Sequence, residues 1–272
     1  VVDVHALIED LRAEQEELAG LLAGLSPDDW ATRTPAPGWD VTDQVAHLAF
    51  FDRAATTALT DEEAFARTLA EAAADPEGFV DSAAAPLAAL PPEELLHLWV
   101  RSSADLREAL SRAPAGTRVP WFGPPMSVAS KATARLMETW AHGQDVVDAL
   151  GASREPTSRL AHIVHLALRV RPYSHMVRGL PEPAAPVRVE LTAPDGGLWR
   201  MGPEEAVDVV TGDAQEFCLV LTRRRHVADT DLRSRGEAAE EWLAIGQTYA
   251  GGPGEGRRPG QFAETARTDG PS

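Results

Sequence analysis

Glu138 and His142 stand four residues apart in the stretch 127–150, which has no proline and no glycine before Gly143. Ala132, Leu136, Trp140, Val146 and Leu150 recur through it at close to helical period, so the spacing predicts a helix over that range. On a helix, residues four apart share a face, with Cβ atoms about 6 Å apart. A carboxylate and an imidazole are thereby aimed at one point, which supplies two legs of a divalent-metal site. A surface Glu–His ion pair has the same spacing. A third residue, His47, is what favours the metal.

His47 falls in another expected helix, 41–59, which begins after the breaker run Thr34-Pro35-Ala36-Pro37-Gly38-Trp39. Asp40 or Thr42 caps it, and Val45, Leu48, Ala49 and Ala55 form its apolar face. His47 sits at the edge of that stripe. A buried neutral imidazole needs both nitrogens satisfied. Asp43, one turn earlier, is expected to hold one nitrogen while a metal takes the other. Arg135, three residues before Glu138 on the same helix, reads as its salt-bridge partner.

The elements that must bring these residues together are long and amphipathic. Helices over 4–25, 41–59, 93–113 and 127–150 predict an antiparallel four-helix bundle, a fold that builds metal sites from side chains on facing helices. Between them, 61–73 reads as a helix, Asp75-Pro76-Glu77-Gly78 as a break, and the segment holding Ala83-Ala84-Ala85-Pro86 as a linker. The run Val119-Pro120-Trp121-Phe122-Gly123-Pro124-Pro125-Met126 holds two aromatics in a Pro/Gly loop just before the Glu138 helix. It reads either as a pocket wall or lid, or as a hydrophobic plug over the bundle end.

After residue 150 the pattern changes. The range 151–185 is expected to be a connecting helix and linker, and 186–250 a small α+β domain. That domain has strands over 187–192, 198–201 and 206–210 and helices over 214–222 and 237–246. The polar Gly-, Pro- and Arg-rich stretch 251–272 reads as a disordered tail. The fold class expected for the whole chain is therefore α+β.

Composition narrows the partners. With 25 Lys+Arg against 42 Asp+Glu, the formal charge is −17 over 272 residues. Neither a nucleic-acid backbone nor an anionic membrane surface is then an expected partner, while a small anionic substrate in a local basic pocket still is. The single cysteine, Cys218, excludes an intrachain disulfide and reads as a small buried hydrophobe. No basic-then-apolar leader and no apolar run of about 18 residues is visible, so a cytoplasmic monomer or homodimer is expected.

The stretch from Pro35 through Trp39, Asp40, Asp43 and His47 to Leu48 resembles the first signature of the DinB-like superfamily. It is most similar to the mycothiol-dependent maleylpyruvate isomerase branch. Glu138-Thr139-Trp140-Ala141-His142-Gly143-Gln144-Asp145-Val146 resembles the second signature. The Trp121-Phe122 loop is similar to that of an actinobacterial subgroup of metal-binding proteins of unassigned activity, and 186–247 resembles, more weakly, a sterol-carrier-like domain. The resemblance implies a divalent ion, usually zinc, held by His47, Glu138 and His142, with an open position that takes water or the thiol of mycothiol. Zinc would lower the thiol pKa. Thiolate addition to an activated cis double bond, rotation and expulsion then give the trans isomer. The developing enolate needs a cation, which the resemblance draws from the C-terminal domain as one of Arg223, Arg224 and Arg225. Trp39, Asp43, Trp121, Phe122, Trp140 and Asp145 are expected to line or support the pocket.

Three functions follow as expectations. The first is a metal- and thiol-dependent isomerase or transferase acting on a small electrophilic or anionic molecule. The second is a metal-dependent hydrolase that uses no thiol. The third is a non-enzymatic metal or small-ligand binding protein.

Overall fold

The computed structural model describes residues 3–262. The chain divides into two compact units, Val1–Ser153 and Arg154–Ser272. Helix and sheet are both present, and among the described residues no helix is long and apolar enough to cross a membrane.

The first unit is helical. It contains α1 (Val4–Ala23), α2 (Pro27–Trp30), α3 (Val41–Thr60), α4 (Glu62–Ala74), α5 (Phe79–Ala88), α6 (Pro92–Arg112) and α7 (Val128–Ala149). A two-stranded ribbon, β1 (Arg118–Val119) and β2 (Met126–Ser127), precedes α7. The helix starts follow from side-chain chemistry. Asp3 accepts from the His5 and Ala6 amides at the head of α1, and Ser127 accepts from the Ser130 amide at the head of α7. Of the four long helices, α1 packs on α6 and α7, and α3 packs on the same two. Leu18, Leu22, Val41, Val45, Leu48, Leu95, Trp99 and Val146 meet in the core between them. The expected linker around Ala83–Pro86 is instead α5, with Pro86 inside it. Its alanines favour helix, and burial of Phe79 and Ala84 with contact to α3 offsets the one hydrogen bond the proline removes.

The second unit contains α8 (Leu160–Arg169), α9 (Arg171–Met176), β3 (Val187–Thr192), β4 (Leu198–Met201), β5 (Asp208–Asp213), α10 (Ala214–Leu221), β6 (Arg233–Arg235) and α11 (Glu237–Ile245). Its sheet order is β4-β3-β5-β6, with β3 and β5 parallel and the outer pairs antiparallel. Val187, Val189 and Leu191 alternate inward along β3, as a half-buried strand requires. The third strand, expected over 206–210, lies at Asp208–Asp213 because pairing with β3 from Val187↔Asp208 to Thr192↔Asp213 sets its span. β6 is polar and exposed throughout, so only its pairing to β5 defines it as a strand. Cys218 is fully buried, its thiol pushed up by desolvation, which is the hydrophobic role expected of it.

One expectation is corrected. The stretch 251–262 is tied down rather than disordered. The Gly251 amide donates to the Tyr173 hydroxyl at 2.8 Å, and the Gly260 amide donates to Asp229 at 2.7 Å. Arg223 donates to the Glu255 carbonyl at 3.4 Å. The segment contributes backbone groups to all three bonds, on which a reading by composition is silent. The rest of the expected tail, 263–272, lies outside the described residues.

Candidate metal centre

Helix α3 carries His47, and α7 carries Glu138 and His142. One ligand atom from each comes within 4.8 Å of the other two. Glu138 Oε2 lies 3.1 Å from His142 Nε2 and 3.8 Å from His47 Nε2. The Glu138 side chain is 20% exposed and the two histidines 11%, so the cluster is sheltered but reachable.

What registers α3 against α7 is a buried ion pair one turn away. Arg135 Nε donates to Asp52 Oδ1 at 2.9 Å. Trp99 Nε1 and Ser103 Oγ of α6 donate to Asp52 Oδ2, at 3.2 and 2.9 Å. The expected Arg135–Glu138 bridge is thus corrected. Arg135 is spoken for by a carboxylate on another helix, and Glu138 is left to the histidines. Sequence spacing counts neighbours on one helix only, so Asp52, 83 residues away, was outside its reach.

The turn before α3 shapes one wall. The Trp39 amide donates to the Ala36 carbonyl at 3.1 Å, with Pro37 and Gly38 between and Gly38 at φ +84°. This is a type II turn, which places proline second and needs glycine third. It lays the Trp39 indole on His142 (ring centroids 5.9 Å apart, 22° between planes) and 5.2 Å from His47. Trp39 Nε1 donates to Asp81 of α5 at 3.1 Å, fixing the ring.

A chain of hydrogen bonds then decides the state of His142. The Trp39 carbonyl only accepts, so the Thr34 hydroxyl donates to it at 3.0 Å. The Thr34 oxygen in turn accepts from the Gln44 amide nitrogen at 2.9 Å. That turns Gln44 Oε1 toward His142, whose Nδ1 donates to it at 2.6 Å. With the proton on Nδ1, Nε2 directs its lone pair at the Glu138 carboxylate.

Electrostatics complete the picture. Burial, and then the neighbouring His142, push the His47 imidazolium down to about 3, so His47 is neutral at ordinary pH. Burial raises the Glu138 carboxyl, but the neighbouring His142, His47 and Arg135 outweigh it and hold the group well below its usual range. A carboxylate therefore faces two imidazole nitrogens, and His47 Nδ1, also buried, has no hydrogen-bond partner among the described residues. A cation shared by Glu138 Oε2 and the two Nε2 atoms would satisfy the groups that face one another. Tetrahedral zinc with Zn–N near 2.0–2.1 Å wants donors about 3.4 Å apart, close to the 3.1 and 3.8 Å between Glu138 Oε2 and the two histidine nitrogens. The residues fit the group.

The other expected site residues divide. Asp43 does not hold His47. Its carboxylate accepts from the Asp40 amide at 3.0 Å while its amide donates to Asp40 at 3.1 Å, a capping box at the head of α3. Helix-start chemistry claimed it first. Trp121 and Phe122 stand one layer back, behind Phe51, whose ring is 4.6 Å from His47. They pack with Phe65, closer to the plug than to the lid. Trp140 and Asp145 are buried on α7. Trp140, two residues from each candidate ligand on α7, projects from roughly the opposite side of the helix. Arg223, at φ +64° after α10, donates to the Ala244 and Glu255 carbonyls. Arg224 donates to the Thr222 carbonyl, and Arg225 to the Arg224 carbonyl while lying over the Phe262 ring. Sequence reasoning missed Gln44 and Phe51. Their one signal was position, three residues before His47 and four after it, on the ligand face of α3.

Two histidines and a glutamate from packed helices, in a helical unit followed by a mixed-sheet unit, define a candidate metalloprotein class. Residues 11–147 match the mycothiol maleylpyruvate isomerase N-terminal domain, and the chain belongs to that family. It is 50% identical over 257 residues to an uncharacterized protein of Mycobacterium tuberculosis, found in strains CDC 1551 / Oshkosh and ATCC 25618 / H37Rv. That match covers 94% of this chain and 100% of the relative. The fold resembles the crystal structure of the mycothiol-dependent maleylpyruvate isomerase, with TM-score 0.60 and 17% identity, over 86% of this chain and 93% of that one. A histidine-to-alanine mutant of that enzyme gives TM-score 0.59.

Proposed function

We propose that this protein is a divalent-metal, thiol-dependent isomerase or transferase acting on a small electrophilic or anionic molecule. The observation that carries the reading is the convergence of His47, Glu138 and His142 within 4.8 Å in a chain of this family. Zinc suits the nitrogen and oxygen donors, and the relatives' description supports mycothiol as the low-molecular-weight thiol. In the same reading the first unit is a DinB-like antiparallel four-helix bundle and the second a sterol-carrier-like α+β domain. The pairings of α1, α3, α6 and α7, and the helices beside the mixed sheet, support this. The protein then works in the cytoplasm, where low-molecular-weight thiols stay reduced.

Bound zinc supplies a Lewis acid that lowers the pKa of a thiol brought to it. The chain's own residues do the rest. Gln44 fixes the His142 tautomer, Glu138 contributes the negative charge, and Trp39 and Phe51 keep bulk water from the histidines.

Elemental analysis of protein purified without added metal or a His tag, beside a His47→Ala/His142→Ala variant, tests the site. About one equivalent of zinc in the first and none in the second is expected. Turnover of maleylpyruvate only when mycothiol is added is the second expected result, and Arg223→Met, Arg224→Met and Arg225→Met enter the same assay to find the anion-holding residue. A folded protein that refuses zinc removes the reading. Turnover without a thiol would make it a hydrolase, and metal without turnover a binding protein.

A further inference from the structure

Of the 25 basic residues in this chain one is a lysine, Lys131, and the rest are arginine. That lysine is not on the surface. It lies in the first turn of α7 with 0% of its surface exposed, and its Nζ has no hydrogen-bond partner among the described residues. Its contact is the indole of Trp121, with Nζ 3.0 Å from the ring centroid. Lys131, Arg135, Glu138 and His142 follow at i, i+4, i+7 and i+11, so the amine shares one face of α7 with two of the candidate ligands. An aromatic path joins the two places, from His47 to Phe51 (4.6 Å), Phe51 to Trp121 (6.1 Å), and Trp121 to the amine.

Burying an amine without an acceptor is costly, and a methionine would fill the same space without that cost. If the position needed a permanent charge, arginine would serve, as it does everywhere else in the chain. What lysine offers and arginine cannot is a neutral amine with a free lone pair. Desolvation, then the Arg135 charge one turn on, push the ammonium down to about 6, against a smaller opposing pull from Glu138. Arg135 is itself paired with Asp52, and the faces of α3 and α4 turned toward the Trp121 loop present Phe51 and Phe65. A desolvated lysine beside a second cation is the setting in which amines act as nucleophiles.

We propose that Lys131 is a second reactive centre of the first unit, an amine nucleophile stored beneath Trp121 that condenses with the carbonyl of a small, flat, apolar aldehyde or ketone. The amine lone pair adds to the carbonyl carbon and one N–H proton passes to the oxygen. Loss of that hydroxyl with the second N–H proton, as water, leaves the imine. The aromatic surroundings of Trp121, Phe122 and Phe65 select the flat apolar class. This centre is independent of the metal reading.

The test uses the whole chain after chelator treatment, with benzaldehyde as probe and sodium cyanoborohydride to reduce the imine to a stable benzylamine. Peptide mapping by mass spectrometry reads the Lys131 peptide. At pH 7 the expected labelling of Lys131 is at least tenfold faster than that of Nα-acetyl-lysine in the same mixture, and its rate levels off near pH 7. Trp121→Ala, by uncovering the amine, is expected to speed labelling at least fivefold. A Lys131 peptide that stays unmodified in folded wild type and in Trp121→Ala, yet is modified once the protein is unfolded in urea, would overturn the proposal. So would labelling that appears only above about pH 9, where any ordinary lysine reacts.

Discussion

Nδ1 of His142 donates a 2.6 Å hydrogen bond to Oε1 of Gln44, joining the first turn of α3 to a late turn of α7. Because the Gln44 amide nitrogen is committed to Thr34, the bond has one polarity, and it turns the Nε2 lone pair of His142 toward Glu138, where a cation could be shared.

Gln44→Leu removes that constraint while keeping similar volume. Metal affinity, measured by competition with a chromophoric chelator, is expected to fall about 10–100-fold, the usual effect of losing a partner that orients a ligand. The circular dichroism spectrum should be unchanged. Unaltered affinity would mean that the tautomer is fixed by some other group.

The Asp52–Arg135 pair is buried, with side chains 0% and 3% exposed. Arg135→Met strands the Asp52 carboxylate against Trp99 and Ser103 and is expected to cost roughly 3–5 kcal/mol in urea unfolding. Adding Asp52→Asn should recover part of that loss, since the second change removes the uncompensated charge. A single variant as stable as wild type would mean the pair contributes nothing to holding α3 against α7.

Gly38→Ala tests the turn. No atom lies within 4 Å of the added methyl, so the penalty comes from φ +84° alone. About 1–2 kcal/mol of destabilisation is expected, with a small loss of zinc affinity as Trp39 shifts off His142. Thermal melts and the same chelator competition read both.

Lys131 sets a pH dependence whose sign is fixed. Its folded value, about 6, lies below the 10.5 of an unperturbed lysine, so the unfolded chain binds the extra proton between those limits. Stability therefore rises with pH from about 6 toward 10, and the group's destabilising effect is greatest at and below pH 6. Lys131→Met removes the effect. At pH 7 the variant is expected to be more stable than wild type by several kcal/mol, at about 1.4 kcal/mol per pKa unit. The difference should shrink as pH approaches 10. Equal slopes for the two proteins in denaturation from pH 6 to 10 would refute this.

Local rules carried the reading wherever the cause was local. The helix expected over 41–59 runs Val41–Thr60, and the strand expected over 187–192 is β3, because caps and periodicity lie within a few residues of the elements they define. Element limits failed where a distant partner sets them, as β3 does for β5 and α3 does for α5. Two candidate ligands on one helix, Glu138 and His142, were legible as an i,i+4 pair, while His47 entered as a candidate from another helix.

The sequence by itself determined which residues can ligate, since side-chain type and helical spacing put two donors on one face before any packing occurs. Only the tertiary structure decided what state they are in. Burial makes His47 neutral, Gln44 chooses the His142 tautomer, and Asp52 takes Arg135 away from Glu138. Those outcomes depend on desolvation and on hydrogen-bond partners from other helices, or from other turns of the same one. Both come into being when the helices close on one another, and neither is encoded in the spacing of a single element.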